Sequence, residues 1–458
     1  MKPTETLAGY VAAARFDDFP PEVVLKAKQC ILDAVGCALG AIPTDIARQT
    51  LEMAKLMGGS PEATLIGDGT RVPMVNAAYA NAQVGNLLDY DDAVIPVPGH
   101  PGVAIIYPAL AAAERTGATG KEIITAVILG YEVGLRVAYA LRSVVFPEGA
   151  SHPYLLFNTS YKILGAAAAA GKLLGLDKER LINAFGIAGG VVPGTAQPTW
   201  SPHTGDWGSI KANYGIYALL GTLAAFQAEK GLNAHQDILD SDEFWTRSGA
   251  AAFDYQALTR DLAKDYMVMH VGFKPVPSCR GTHPQLTAVM EALHGETVRP
   301  DDITEIALFG GRMLTRRKWD TMIEAEFSTA CAVSLYLSGV EPGPDWYRND
   351  RFKQPDITDL AGRIRFVEEL RYWEDWVKFG KLTAAAEIKT KDGRVRKAFI
   401  EYPRGEPQNP MSGAELERKF VVNAAVVLGE ANARKLYQKL IGLEDIPAAE
   451  LMSSTFPA

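Results

Sequence analysis

Pro20-Pro21-Glu22-Val23-Val24-Leu25-Lys26-Ala27-Lys28-Gln29-Cys30-Ile31-Leu32-Asp33-Ala34-Val35-Gly36-Cys37-Ala38 reads as one long, half-buried helix. The prolines suit its start, because the first turn has no use for their missing N–H groups. Val24, Ala27, Ile31, Ala34, Val35 and Ala38 then recur at helical spacing and define a face that wants burial. Gly40 and Pro43 mark the end. Moving outward, the same periodicity predicts helices over roughly 44–57, 72–88, 103–117, 120–142, 161–174, 178–189 and 209–230. A short extended piece, Ala63 to Ile66, ends at Gly67-Asp68-Gly69.

The texture changes near residue 270. Pro275 and Pro277 break regular structure, and Ile303 to Phe309 alternates as a strand does. Arg363 to Val367 is a second candidate strand. Ala384–Thr390 and Arg394–Tyr402 flank Lys391-Asp392-Gly393, and Asp-Gly between alternating segments signals a hairpin. Helices return over 413–428 and 430–441. The expected fold is therefore mainly α. Residues 1–269 and 405–458 form a discontinuous, all-helical large domain, and residues 270–404 a smaller α+β domain inserted into it.

With 458 residues, 48% of them hydrophobic and 22% charged, the chain can bury more than one core. Its 42 glycines, together with alanine runs such as Ala166 to Ala170, allow close helix packing. A net charge of −8 argues against a nucleic-acid surface. Cys30, Cys37, Cys279 and Cys331 are too few and too scattered for a disulfide framework or a zinc knuckle. Residues 1–20 hold Lys2, Glu5, Arg15, Asp17 and Asp18 with no uninterrupted apolar run, and no segment reads as a membrane span. A cytoplasmic protein is expected.

Three clusters carry chemistry. In the first, Asn86-Leu87-Leu88-Asp89-Tyr90-Asp91-Asp92 is followed by Gly99-His100-Pro101-Gly102. It places carboxylates and an imidazole in one punctuated loop, as proton abstraction beside a carbonyl requires. The plainer reading makes the aspartates helix caps and His100 a turn-stabilising group. The second is Lys274-Pro275-Val276-Pro277-Ser278-Cys279-Arg280-Gly281-Thr282-His283, just before a helix expected near Pro284. Its cations suit recognition of a carboxylate, although a linker with solvated charges would look alike. The third is Lys211, early in an apolar helix, which must snorkel to water or meet an anion. No dinucleotide, P-loop or zinc-protease motif occurs. Asp89, Asp91 and Asp92 could in principle hold Mg²⁺, but neither a metal nor another cofactor is expected.

These clusters, in this order, resemble the MmgE/PrpD family of 2-methylcitrate dehydratases, cis-aconitate decarboxylases and an imino-dicarboxylate epimerase. Similar too are Phe19-Pro20-Pro21-Glu22 with Ile31 to Cys37, Gly120-Lys121-Glu122-Ile123 with Gly130 to Gly134, Ala166 to Ala170 with Leu173 to Asp177, Ala325 to Ser328, and Asn409-Pro410. The resemblance spans essentially the whole chain. It implies a helical domain with an α+β lid, a site between them, a homodimer and no cofactor. Carried over by motif, Asp89, His100, Lys211 and His283 would be catalytic. Lys274, Cys279, Arg280, His152 and Tyr214 would bind substrate.

Departures from the pattern are equally specific. Ala93 stands where decarboxylases carry a hydroxyl residue. The histidine that often precedes the alanine-rich helix has its ungapped match near Leu156 to Asn158, and His152 fills that role only across a longer loop. Lys-x-x-His reads Lys211-Ala212-Asn213-Tyr214, so Tyr214 replaces an imidazole, and Ala330 or Cys331 replaces a tyrosine. The expected reaction is α-proton transfer on a small di- or tricarboxylate: dehydration first, epimerisation or decarboxylation as alternatives. From another class, the protein would be a non-catalytic binder of an anionic metabolite.

Overall fold

A computed structural model of the chain describes residues 2–95, 99–141, 144–145, 154–155, 160–191, 213–248, 253–311 and 313–457. The long N-terminal helix runs Pro21–Ala41, and from Cys30 onward every residue of it is buried. The burial has its cause at the far end of the chain. The Gly413–Leu428 helix packs along it, and Lys419 Nζ reaches 2.5 Å from Asp33 Oδ1. First and last segments thus share one helical core.

At the centre of that core lie Gly120–Ala140, Ser160–Leu173, Gly102–Thr116 and Tyr214–Glu229. Gly120–Ala140 and Ser160–Leu173 approach almost backbone to backbone. A Cβ on Gly165 would lie 3.0 Å from the Gly130 carbonyl oxygen, which explains the small residues in this interface. Gly120–Ala140 is long and apolar enough to cross a membrane, a property not recognised from sequence, yet 94% of its most apolar window is buried inside the fold.

Residues 303–400 supply a four-stranded sheet in the order Ile364–Glu368, Ile303–Gly310, Ala384–Thr390, Val395–Ile400. The first pair is parallel, with Ile306 opposite Ile364; the other two pairs are antiparallel. Ala384, Ala386, Ile388 and Thr390 face inward at the two-residue period, where the His283–Leu293 helix covers them. The hairpin turn falls at Asp392-Gly393, with Gly393 at φ +81°. Pro3–Ala13, Thr329–Leu337, Pro355–Gly362 and Leu370–Phe379 are helices that periodicity did not announce. Thr329–Leu337 is buried on nearly every side and has no polar stripe to reveal its period.

Candidate active site

The Met74–Gly85 helix stops at Asn86, and the chain turns through Asp89 in the left-handed region, φ +46°, which aspartate tolerates better than most residues. Asn86 donates its Nδ2–H to Asp91 Oδ1 at 2.8 Å. Asp92 behaves as the plainer sequence reading expected: it accepts the Gly102 N–H at 3.0 Å, at the start of the next helix, and the Tyr131 hydroxyl at 2.6 Å. Burial and the neighbouring Asp91 push its carboxyl up to about 7.

Remote segments clamp this loop. Ala93 and Gly272 exchange backbone hydrogen bonds of 3.0 and 2.8 Å, and the Tyr90 hydroxyl donates to the Pro275 carbonyl at 3.0 Å. Lys419 donates to the Tyr90 carbonyl at 2.8 Å and lies over its ring. As a result the two motifs at 86–102 and 272–283 come together.

His100 sits at their junction. Its Nε2 is 3.1 Å from Asp89 Oδ1; its Nδ1 is 3.1 Å from Asp91 Oδ2 and 3.0 Å from the Asp92 carbonyl oxygen. The same Asp89 oxygen receives the Lys274 ammonium at 2.5 Å. His100, Asp89, Asp91 and Lys274 are all buried. An imidazole with an acceptor at each nitrogen is fixed in plane and can carry a proton on either side.

Tyr214 packs edge-on against His100, with ring centroids 5.4 Å apart. Also beside Tyr214 is a group the sequence reading passed over, Lys162, whose Nζ lies 4.3 Å from the Tyr161 ring centroid, 5.3 Å from that of Tyr214 and 5.5 Å from that of Tyr217. Lys162 is 3% exposed. Burial pulls its ammonium down to about 7, with Asp91 opposing the shift. The signal was available: Lys162 is a cation at the start of an apolar stretch, as Lys211 is.

The remaining candidates divide. Arg280 pairs with Glu406, and its Nε and Nη1 have no hydrogen-bond partner among the described residues. Burial lowers the guanidinium to about 9, which leaves it charged at neutral pH. His283 is fully buried, with Nε2 3.2 Å from the Ser278 carbonyl oxygen and 3.3 Å from Ser278 Oγ. Desolvation, then Arg280 and Lys274, hold it well below the usual histidine range, so the ring is neutral. Cys279 lies in an apolar cluster with Ile323 and Phe327, an environment suited to packing more than to carboxylate binding. His152 and Lys211 lie outside the described residues.

Asp89, Asp91 and His100 each bring a ligand atom within 4.8 Å of the others, as a metal would need. The Lys274 ammonium, however, already occupies the cation's place on Asp89 and would repel a divalent ion.

A family model described as the MmgE/PrpD N-terminal domain matches residues 5–257, and one described as the MmgE/PrpD C-terminal domain matches residues 276–442. The chain is 25% identical to the cis-aconitate decarboxylase of Mus musculus, across 98% of this chain and 92% of that protein. Its identity to the Homo sapiens cis-aconitate decarboxylase is also 25%, covering 98% and 94%. To that of Aspergillus terreus it is 21%, covering 98% and 96%.

Proposed function

We propose that this chain, which belongs to the MmgE/PrpD family, is a lyase that acts on a small di- or tricarboxylate by moving the proton on a carbon next to a carboxylate. The observation that carries this reading is His100, buried between Asp89 and Asp91 with Lys274 behind. The imidazole takes the α-proton, and the flanking carboxylates stabilise the imidazolium that forms. Arg280, with two nitrogens unengaged among the described residues, is the cation best prepared for a substrate carboxylate. His283, held neutral and engaged with Ser278, serves the wall of the site.

Within this class we put dehydration first. Elimination of water begins with a base beside the α-carbon, and His100, held between Asp89 and Asp91, is placed to be that base. The C–H electrons form the new C=C bond as the β-hydroxyl leaves and is protonated to water. Decarboxylation is the second reading, favoured by the cis-aconitate decarboxylases to which the chain is similar over nearly its whole length. There carbon dioxide leaves first and the imidazolium returns a proton to the carbanion. A homodimeric enzyme that needs no cofactor is part of the proposal.

Proton NMR of the purified protein in D₂O, with citrate, 2-methylcitrate, cis-aconitate, malate and amino-dicarboxylates, tests it. Loss of a hydroxy acid with growth of a vinylic signal is the expected outcome. A shorter product would transfer the assignment to decarboxylase, and α-deuteration without net conversion to epimerase. With neither conversion nor exchange across the panel, the lyase reading fails.

A further inference from the structure

We propose that Lys162 is a second catalytic group of this site, the acid that protonates the leaving hydroxyl while His100 holds the α-proton. The inference rests on the lyase reading above and deepens it.

Lys162 lies in the first turn of the Ser160–Leu173 helix and is followed by the apolar or small residues Ile163 to Gly171, and its side chain is buried. The ammonium is directed at the loop that bears His100: a Cβ built on Gly99 would stand 2.9 Å from Lys162 Nζ. Tyr214 is a shared wall, with Lys162 Nζ 5.3 Å from its ring centroid and the His100 ring 5.4 Å away. Tyr214 also stands where the family resemblance would place an imidazole. A buried amine therefore stands beside the loop that carries His100 and against the ring of Tyr214.

The groups around it set its behaviour. Tyr161 comes from its own helix; Tyr214 and Tyr217 come from the Tyr214–Glu229 helix. Asp91 acts on Lys162 from the loop. Asp89 and Asp91 act on Tyr214, and Asp92 on Tyr161. Aromatic faces hold an ammonium without neutralising it. Desolvation brings it close to neutrality in pKa, the range in which a general acid works best. An arriving polyanionic substrate would favour the charged form and load the acid for its step.

The elimination balances. His100 removes the α-proton, the C–O bond breaks toward oxygen, and Lys162 gives one proton to that oxygen, leaving a neutral amine and water. The amine is then reprotonated from solvent.

Lys162→Met and Lys162→Arg, checked by circular dichroism and melting, test the assignment. In Lys162→Met, net elimination should fall roughly 100-fold or more while α-proton exchange in D₂O stays within about tenfold of wild type. Lys162→Arg should bind substrate but lose turnover, because arginine keeps its proton. Equal loss of exchange and elimination in Lys162→Met would mark a merely structural role, and wild-type elimination would end the proposal. A second measurement needs no turnover. Calorimetric binding of tricarballylate at pH 8, in buffers of different ionisation enthalpy, should show about one proton more taken up by wild type than by Lys162→Met. Equal uptake overturns the Lys162 role alone; no binding to wild type overturns it together with the carboxylate reading.

Discussion

The Lys274 ammonium lies 2.5 Å from Asp89 Oδ1 and 2.6 Å from the Asp89 main-chain oxygen, so one side chain grips both the carboxylate and the left-handed backbone of a residue 185 positions earlier. Neither partner is exposed to water. Removing one member of such a pair leaves an uncompensated buried charge, which costs about 3–5 kcal/mol. Lys274→Met should therefore melt well below wild type and lose activity. The double variant Lys274→Met/Asp89→Asn should melt above the single one, because the orphaned carboxylate is gone. A thermal-unfolding series on the three proteins reads this directly; a double variant no more stable than Lys274→Met would show that the pair is not coupled.

His100→Gln preserves a donor toward Asp89 but cannot shuttle a proton. Turnover should fall roughly 10²–10⁴-fold, and α-proton exchange in D₂O should fall with it, since both need the same base. The melting point should barely move. Asp91→Asn keeps the ring in position with a weaker partner at Nδ1 and should cost less than His100→Gln. Steady-state rates beside exchange rates check this; exchange surviving in His100→Gln would assign the base elsewhere.

Much of this was legible in the chain itself. Most helices, the sheet strands and the Asp392-Gly393 hairpin follow from period and turn chemistry, which are local properties. The two clusters around His100 and Arg280 were visible as clusters, yet nothing local says that Lys274 reaches Asp89 or that Lys419 ties down Tyr90. Such long-range pairs are decided by packing. Lys162 escaped notice because a lysine in the first turn of a helix normally snorkels to solvent. Only the three tyrosine rings around it, two of them from a helix some 50 residues later, make it a buried cation. For His283 the motif leaves the environment open: its Nε2 meets Ser278, while its Nδ1 is buried with no hydrogen-bond partner among the described residues.

Asp92 gives a pH prediction of definite sign. Its carboxyl is raised from 3.8 to about 7 in the fold, so between those values the native state holds a proton that the unfolded chain has lost. Stability from this group is greatest at the acid end and declines as pH rises toward 7, at up to about 1.4 kcal/mol per pH unit. Above that pH the loss levels off. Asp92→Asn keeps one acceptor for the Gly102 N–H, turns an N–H donor toward the Tyr131 hydroxyl oxygen, and has no proton to lose. Its melting temperature should vary less than that of wild type between pH 5 and 8, and should exceed it at pH 8. Parallel melting curves for the two proteins would argue against the shift.

Gly99 tests whether Lys162 and His100 form one site. Its φ of +118° is a conformation that L side chains rarely adopt, and a Cβ would come within 2.8 Å of Tyr161 Oη and 2.9 Å of Lys162 Nζ. Backbone strain together with the forced shift predicts a stability loss of about 1–3 kcal/mol for Gly99→Ala. The long lysine side chain gives way more easily than the packed tyrosine, so Nζ should move while the helix core stays in place. If Lys162 is the acid, elimination in Gly99→Ala should drop further than α-proton exchange, mirroring Lys162→Met more weakly. Gly190→Ala is the control: its Cβ meets nothing within 4 Å, and neither rate should change. Equal loss of both rates in Gly99→Ala would place the damage at His100 itself, its immediate neighbour, and separate the two groups.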